Sequence, residues 1–177
     1  MQKIRISDAQ SPWFDRAWDI YTASFPRDEI RSRAEQARLY AKPDYRMDAW
    51  VEEDRLVGFL AWWNFDDARY IEHLAINPDC RSGGYGSRIL QAWLAEDERP
   101  VYLEIEKPVD ERTKRRLGFY SRLGFLLSPM THIQPPYNRQ GPGVALTVLS
   151  WPAAISWDRY EILLQNLHSH VWADIKA

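Results

Sequence analysis

The residues best suited to chemistry lie in one run of the sequence, from Tyr70 to Ser87. The run ends in the glycine-rich turn Gly83-Gly84-Tyr85-Gly86, and apolar residues at helical spacing follow it. Glycine lets the backbone approach a ligand closely, and the first turn of a helix has N–H groups without intrahelical acceptors. Because the helix dipole adds to these N–H groups, they favour a phosphate. The run therefore predicts either an anion site or a strand-to-helix turn that binds nothing.

Two familiar phosphate-binding loops do not match this turn. The Walker loop of nucleotide triphosphatases ends in Gly-Lys-Ser/Thr, whereas this turn ends in Gly86-Ser87-Arg88 and lacks the lysine. The dinucleotide fingerprint needs Gly-x-Gly-x-x-Gly directly after the first strand of a parallel unit, with an acidic residue about 20 positions further on. The sequence meets neither condition, so both classes are excluded.

The overall composition is that of an ordinary globular protein. The chain has 177 residues, of which 45% are hydrophobic and 27% are charged, and its formal net charge is −2. One domain is the default at this length. A nearly neutral chain gives no electrostatic reason to expect tight binding to nucleic acid or to an anionic membrane surface.

The cysteine count and the hydropathy pattern indicate a cytoplasmic protein. Cys80 is the single cysteine, so it can form neither an internal disulfide nor a thiolate metal cluster. The longest largely apolar stretch, 56–63, is far shorter than the roughly 20 residues of a membrane-spanning helix. The first five residues contain no apolar signal core.

The hydrophobic pattern predicts the elements that position the glycine-rich turn. Strands are predicted at 2–7, 47–52, 56–63, 70–76, 101–106, 126–133 and 144–151. Helices are predicted after Pro12, at 28–40, after Gly86, at 110–123 and at 156–172. This order fits neither a purely parallel nor a purely antiparallel sheet, so we predict an α/β or α+β domain with a mixed sheet. The single domain, 1–177, divides into an N-terminal part (1–69), a centre (70–125) and a C-terminal hairpin and helix (126–177).

Two motifs in this order resemble one family. Arg81-Ser-Gly-Gly-Tyr-Gly86 matches the Arg/Gln-x-x-Gly-x-Gly/Ala loop of the GCN5-related N-acetyltransferases (GNAT), and a strand ending in Leu-Ala-Ile76 precedes it. Downstream, Phe119-Tyr-Ser-Arg-Leu-Gly-Phe125 resembles the family's aromatic-Tyr-x-x-x-Gly-Phe segment and follows a strand, as in the family. Phe25-Pro-x-x-Glu29 and Gln134-Pro-Pro-Tyr137 are also similar to segments of a group of bacterial members.

The resemblance implies a GNAT-like sheet of about seven strands flanked by helices, with an extra C-terminal helix. Acetyl-CoA would bind as cosubstrate to the centre, 70–125, where two parallel strands part. The backbone of Leu74, Ala75 and Ile76 would pair with the pantetheine, and the following loop would hold the pyrophosphate. That loop comprises Arg81, Ser82, Gly83, Gly84, Tyr85, Gly86 and Ser87. Thr113 stands where many members have an asparagine that contacts the pantetheine.

The resemblance also suggests an acid and a base. Tyr120 occupies the position that the family uses to protonate the departing thiolate. An acceptor ammonium must lose a proton before it can attack, and either Glu104 or Glu72 is the candidate base. Strand alternation predicts that Glu72 shares a face with Tyr70, Leu74 and Ile76, whereas His73 lies on the opposite face in a structural role.

The implied reaction is direct transfer of an acetyl group to a primary amine, without a metal. Family members recognise the acceptor near the positions of Phe25, Glu29, Gln134 and Tyr137. The acceptor is then a small molecule or a peptide, and the protein is a monomer or a homodimer. The alternative is a regulatory or sensory module that binds the coenzyme and does not turn over, which we expect if neither Glu104 nor Glu72 reaches the amine.

Overall fold

Seven strands form one mixed sheet in the computed structural model, which describes residues 1–138 and 141–175. The strands are β1 (Gln2–Ile6), β2 (Tyr45–Glu52), β3 (Arg55–Asn64), β4 (Arg69–Ile76), β5 (Val101–Glu106), β6 (Leu126–Gln134) and β7 (Val144–Trp151). The helices are α1 (Phe14–Ser24), α2 (Arg33–Leu39), α3 (Tyr85–Leu94), α4 (Glu111–Ser121) and α5 (Trp157–Asn166). No helix in these described ranges is long and apolar enough to cross a membrane.

The strand order in the sheet is β1-β2-β3-β4-β5-β7-β6. All neighbours are antiparallel except β4 and β5, which are parallel and are joined through α3. A parallel pair needs such a crossover, because the chain must return to the same end of the sheet. The predicted fold class, a mixed sheet of about seven strands flanked by helices, is confirmed.

The sheet has an apolar core on each face. On one face it packs against α1, α2 and α5 through Phe14, Leu39, Leu163 and other buried side chains. On the other face it packs against α3 and α4 through residues such as Ile89 and Trp93. A two-sided core accounts for the almost continuously apolar sequence of β3.

Two predicted helices differ from the structure. The expected helix at 28–40 is divided into a 3-10 turn, Arg27–Glu29, and the short helix α2. Ser32 caps α2 in a capping box with Glu35, so the side chain of Ser32 sets the start of the helix. The expected helix at 156–172 is α helical only to Asn166 and continues as a π-helical turn, Leu167–Val171.

A bulge in β4 corrects the predicted faces of that strand. Ala61 of β3 lies opposite His73, whereas its neighbour Trp62 lies opposite Ile71, so Glu72 is one extra residue. Because the extra residue interrupts the alternation, Glu72 and His73 both lie on the α1 side of the sheet. The prediction that His73 opposes Glu72 is wrong. The predicted common face of Glu72, Leu74 and Ile76 is wrong too, since the latter two pack on the α3 side.

Candidate active site

The parallel strands β4 and β5 separate after only three paired positions. Arg69 to Ile71 pair with Val101 to Leu103, and beyond these residues the two strands have no paired positions. A cavity of about 560 Å³ lies in this opening. Residues predicted for the site that line this cavity are Phe25, Glu29, Glu72, Leu74, Ala75, Ile76, Arg81, Glu104, Tyr120 and Gln134. The separation leaves one edge of β4 without a neighbouring strand beside the cavity.

The loop after β4 presents bare backbone amides. Ser82 and Gly84 have positive φ angles of 66° and 71°, and α3 starts at Gly84 without a side-chain cap. Within the described part of the chain, none of the amides from Ser82 to Ser87 donates a hydrogen bond to a protein acceptor. A Cβ atom added to Gly84 would meet no atom within 4 Å, so this residue faces open space. The loop therefore suits an anion.

A second cavity, of about 390 Å³, lies against this loop. Residues predicted for the site that line this second cavity are Leu74, Ile76, Arg81, Ser82, Gly84, Tyr85, Gly86, Ser87 and Tyr120. Both cavities have Arg116, Phe119 and Tyr120 in their walls, so they adjoin one another at α4. One elongated ligand can reach from the bare amides to the opening between β4 and β5.

Tyr120 lies where the two cavities meet. Its ring packs against Phe119 and Phe125, with ring centroids 5.0 Å and 5.6 Å away. Burial raises the pKa of Tyr120 to about 12, and the charge of Arg116 offsets a part of this rise. The phenol is consequently protonated at neutral pH and can donate a hydrogen bond into either cavity.

Glu104 is the carboxylate of β5 in the wall of the first cavity. The hydroxyl of Tyr70 donates to its Oε2 at 2.8 Å, and the Nε2 atom of His132 contacts its Oε1. On the other side of the imidazole, Nδ1 lies 3.0 Å from the hydroxyl of Tyr160. His132 is a residue that sequence reasoning missed, because it belongs to no motif and comes near Glu104 only through the pairing of β5, β7 and β6.

Glu72 is enclosed by hydrogen-bond donors. Arg31 and the hydroxyl of Tyr137 donate to its Oε1, the latter at 2.7 Å, and Trp63 Nε1 donates to its Oε2 at 2.8 Å. Burial acts to raise the pKa of Glu72, but the charge of Arg31, with these hydrogen bonds, holds it below its usual value. A carboxylate with both oxygens already bonded and a lowered pKa is a weak base.

His73 is buried in an aromatic setting. Its ring packs edge-on against Tyr21 and Phe25, and its Nε2 lies 3.2 Å from the backbone oxygen of Glu29. Burial lowers the pKa of His73 to about 4, so the imidazole is neutral at pH 7 and donates this hydrogen bond. These contacts are those of a structural histidine.

The residues predicted to meet the acceptor divide into two groups. Phe25, Glu29 and Gln134 line the first cavity, whereas Tyr137 lies behind it with its hydroxyl bonded to Glu72. Burial raises the pKa of Glu29, and the nearby carboxylate of Glu106 raises it further. A cationic group placed beside Glu29 would offset this unfavourable burial of charge.

Thr113 lies at the start of a helix, and Cys80 lies in the wall of the second cavity. Thr113 closes a capping box at the start of α4, in which its hydroxyl oxygen accepts from the backbone N–H of Asp110 at 3.1 Å. It lines neither cavity, so the structure does not bring it to the site. Cys80 is a buried free thiol. Among the described residues no cluster of histidine, cysteine or acidic side chains could hold a metal ion.

Comparisons with known proteins agree with this geometry. A family model described as an acetyltransferase (GNAT) domain matches residues 47–126. YjbC of Bacillus subtilis, provisionally named an acetyltransferase, is 32% identical over 116 residues, or 64% of this chain. The chain spans 56% of the length of that protein.

The solved structures that resemble this chain also include GNAT acetyltransferases. A protein of Bacteroides thetaiotaomicron, provisionally assigned as a GNAT-family acetyltransferase, has a TM-score of 0.90 and 29% identity over 97% of this chain and 98% of its own. A GNAT acetyltransferase of Elizabethkingia anophelis, solved with acetyl-CoA bound, shares the fold alone, with a TM-score of 0.59 and 12% identity over 84% of this chain and 95% of its own. Together with the parted strands and the glycine-rich loop, these matches show that the chain has the GNAT fold and that it resembles GNAT acetyltransferases.

Proposed function

We propose that this protein is an acetyl-CoA-dependent N-acetyltransferase that acts on a primary amine by direct transfer within a ternary complex. The observation that carries the proposal is the opening between β4 and β5, which leads to bare amides at the start of α3. A pantetheine arm needs an unpaired strand edge, and a pyrophosphate needs N–H donors. Both are present on one continuous surface.

The chain's own residues fit acetyl-CoA at each end of that surface. The amides of Ser82 to Ser87 bind the pyrophosphate, and Arg116, in the walls of both cavities, adds a positive charge nearby. The backbone of Leu74 to Ile76 binds the pantetheine as a further strand, and an N–H of β4 polarises the thioester carbonyl. When bound, the coenzyme supplies an activated acetyl group on sulfur.

Glu104 and Tyr120 perform the proton chemistry in this proposal. An acceptor amine with a pKa of about 10 arrives as an ammonium, so a base must remove a proton before attack. Glu104 takes this role rather than Glu72, because Glu72 is paired with the guanidinium of Arg31, which lowers its pKa, whereas Glu104 contacts a tyrosine hydroxyl and an imidazole. Tyr120 donates a hydrogen bond to the sulfur as it leaves.

The amine class is supported by carboxylates in the first cavity. Its lining carries both signs of charge, since Arg81, Arg115 and Arg116 lie there too, and Glu29 and Glu104 are the groups that can pair with an ammonium. Direct transfer is supported by the way the two cavities adjoin at Tyr120, since both substrates can be held at the same time. No covalent intermediate on the protein is then required.

An acetyl-transfer assay tests the proposal against the non-catalytic alternative. The wild-type protein is expected to release free thiol from acetyl-CoA in the presence of amines, amino acids or peptides. Glu104→Gln is expected to lower kcat by about 10²-fold or more, which is a usual contribution of a general base, while the calorimetric Kd for the coenzyme stays the same.

The matched control is Glu161→Gln, which neutralises an exposed glutamate of α5 and should leave both quantities unchanged. Tight coenzyme binding with no amine-dependent thiol release across the whole acceptor panel would favour a regulatory or sensory module. Full turnover by Glu104→Gln would remove Glu104 from the mechanism.

A further inference from the structure

The hydrogen-bond chain behind Glu104 determines where one proton lies. The hydroxyl of Tyr160 has a single proton and lies 3.1 Å from the backbone oxygen of Thr131, which can only accept. With its proton directed to Thr131, the hydroxyl of Tyr160 can only accept from His132. The contact of 3.0 Å between Tyr160 and His132 Nδ1 is then a hydrogen bond only if Nδ1 is the donor.

With Nδ1 protonated, the other ring nitrogen faces the carboxylate. His132 Nε2 and Glu104 Oε1 are in direct contact, and both are acceptors when the imidazole is neutral and the carboxylate ionised. Two facing lone pairs in a buried site repel each other, whereas one proton between them turns the contact into a strong hydrogen bond. The side chain of Glu104 is only 2% exposed and that of His132 is 10% exposed, so water screens this contact poorly.

We propose that Glu104 and His132 act as a dyad that takes up one proton as a unit, with His132 as a positioning residue that acts through Glu104. This inference rests on the proposed acetyl transfer. The N–H bond of the acceptor ammonium breaks, its electron pair stays on nitrogen, and the proton enters the position between Oε1 and Nε2. The amine becomes neutral, and the charge of the dyad changes from −1 to zero.

Other groups around the dyad hold it in place without competing for the proton. From β4, the hydroxyl of Tyr70 donates to Glu104 Oε2 at 2.8 Å, and this tyrosine has its pKa raised by burial. From α5, the hydroxyl of Tyr160 lies 3.0 Å from His132 Nδ1. After the π-helical turn, the ring of Trp172 packs with its centroid 5.6 Å from that of the imidazole. The other charged groups that line the first cavity are Glu29, Glu72, Arg81, Arg115 and Arg116.

The proton that the dyad takes up lies between two heavy atoms, whereas a glutamate alone would hold it on one oxygen. The form that must be present for catalysis is the deprotonated one. The acidic limb of the kcat profile in the wild type therefore lies at higher pH than the limb of a protein whose Glu104 lacks the imidazole.

His132→Gln is the decisive variant. Its amide N–H can still donate to Glu104, but it cannot hold an extra proton. We expect the plateau of kcat to fall about tenfold or more and the acidic limb to move to lower pH, with the Kd for the coenzyme unchanged. His168→Gln is the matched control, since it replaces an exposed histidine of the π-helical turn. It should change neither the plateau of kcat nor the position of the acidic limb.

Nitrogen-15 NMR of the histidine side chains tests the dyad independently of turnover. In the wild type, Nδ1 of His132 is expected to stay protonated throughout the titration, and Glu104→Gln should shift the titration of Nε2. A wild type that transfers acetyl to none of the amines would overturn the proposed function while this spectrum still reports on the dyad.

Each kinetic outcome has a definite meaning. A lower plateau with an unmoved acidic limb means that His132 is merely structural, and a moved limb with an unchanged plateau means that its proton does not matter for transfer. Either result, or a His132 with an unprotonated Nδ1, would overturn the inference. If His132→Phe also folds, a rate below that of His132→Gln measures the part due to positioning Glu104.

Discussion

At the scale of single residues, the role proposed for Tyr120 depends on burial. An exposed tyrosine has a pKa of about 10, but at the junction of the two cavities burial raises the pKa of Tyr120 to about 12. A phenol with so high a pKa does not transfer its proton completely to a thiolate whose conjugate acid has a pKa of about 8.5. It is better suited to stabilising the departing sulfur through a hydrogen bond.

Removing this hydroxyl tests that role. Tyr120→Phe is expected to lower kcat by about 10²-fold while the Kd for the coenzyme stays the same, because the hydrogen bond forms only as the sulfur leaves. The raised pKa also predicts that ionisation of Tyr120 causes no loss of activity until the pH rises towards 12. Both effects are measured in steady-state assays across pH.

Tyr102→Phe is the control for this variant. It deletes the hydroxyl of another buried tyrosine, on β5, which lines neither cavity. If Tyr120→Phe matched the wild-type rate, or if both variants lost activity equally, the donor role of Tyr120 would have to be abandoned.

At the scale of elements, the start of α3 brings the bare amides together. Gly84 adopts a left-handed conformation with φ of 71°, and the helix that follows has no side-chain cap. A capping side chain would occupy the N–H groups that an anion needs, so its absence leaves the binding capacity of the turn free. The separation of β4 from β5 then supplies the space in front of these amides.

A bulky residue at Gly84 is expected to block this site. Gly84→Val places its side chain into the space before the amides, where no protein atom lies within 4 Å of a new Cβ. Losing one charge-assisted hydrogen bond to the pyrophosphate costs about 1.5–3 kcal/mol, so we expect the calorimetric Kd for CoA to rise by about tenfold to hundredfold.

Gly141→Val separates this effect from backbone strain. Gly141 also has a positive φ, of 93°, and open space around it, but it lies outside the two cavities. Both variants should lose similar stability, and only Gly84→Val should lose affinity. Equal CoA affinity in the two folded variants would count against binding of the pyrophosphate at this loop.

At the scale of the whole molecule, a buried ion pair connects distant segments of the chain. Arg31, just before α2, pairs with Glu72 of β4 and donates to the backbone oxygen of Val171 at 2.9 Å. The guanidinium also lies 4.2 Å from the ring centroid of Tyr137. Four parts of the chain thus meet behind the acceptor side of the first cavity, and the ion pair holds this wall together.

Neutralising one partner of the buried ion pair should destabilise the fold. Glu72→Gln leaves the buried charge of Arg31 uncompensated and is expected to lower the free energy of unfolding by about 3–5 kcal/mol, measured by urea denaturation. Asp15→Asn, at the exposed pair of Asp15 with Arg33, should cost at most about 1 kcal/mol. Equal losses in the two variants would show that the buried pair does not stabilise the fold.

The stability that this ion pair contributes depends on pH, and the pKa of Glu72 fixes the direction of the change. The pKa of Glu72 is lower in the folded protein than its ordinary value of 4.5. Its stabilising contribution is therefore fully present above that value and is lost as the pH falls through the lower, folded pKa. Glu72→Gln should lack this part of the acid destabilisation.

Several elements could be predicted because their signals are local. The bounds of β5 and β7 were predictable from the apolar runs alone, and the glycine-rich turn from the residue types that a left-handed backbone favours. The helix predicted at 28–40 was too long, because its apolar pattern does not reveal that Ser32 starts a new helix. The face of Glu72 was also beyond prediction, since a bulge depends on the register with β3.

The sequence by itself determined the resemblance to the GNAT family, the order of the elements, and the loop from Arg81 to Ser87 with Tyr120 downstream. These features reside in short stretches, where residue type and spacing are sufficient. Only the tertiary structure decided that Glu72 is bound by Arg31, which is 41 positions away, and that His132 stands beside Glu104. The physical reason is that the basicity of a carboxylate depends on its neighbours in space, and strand pairing and bulges bring those neighbours from distant parts of the chain.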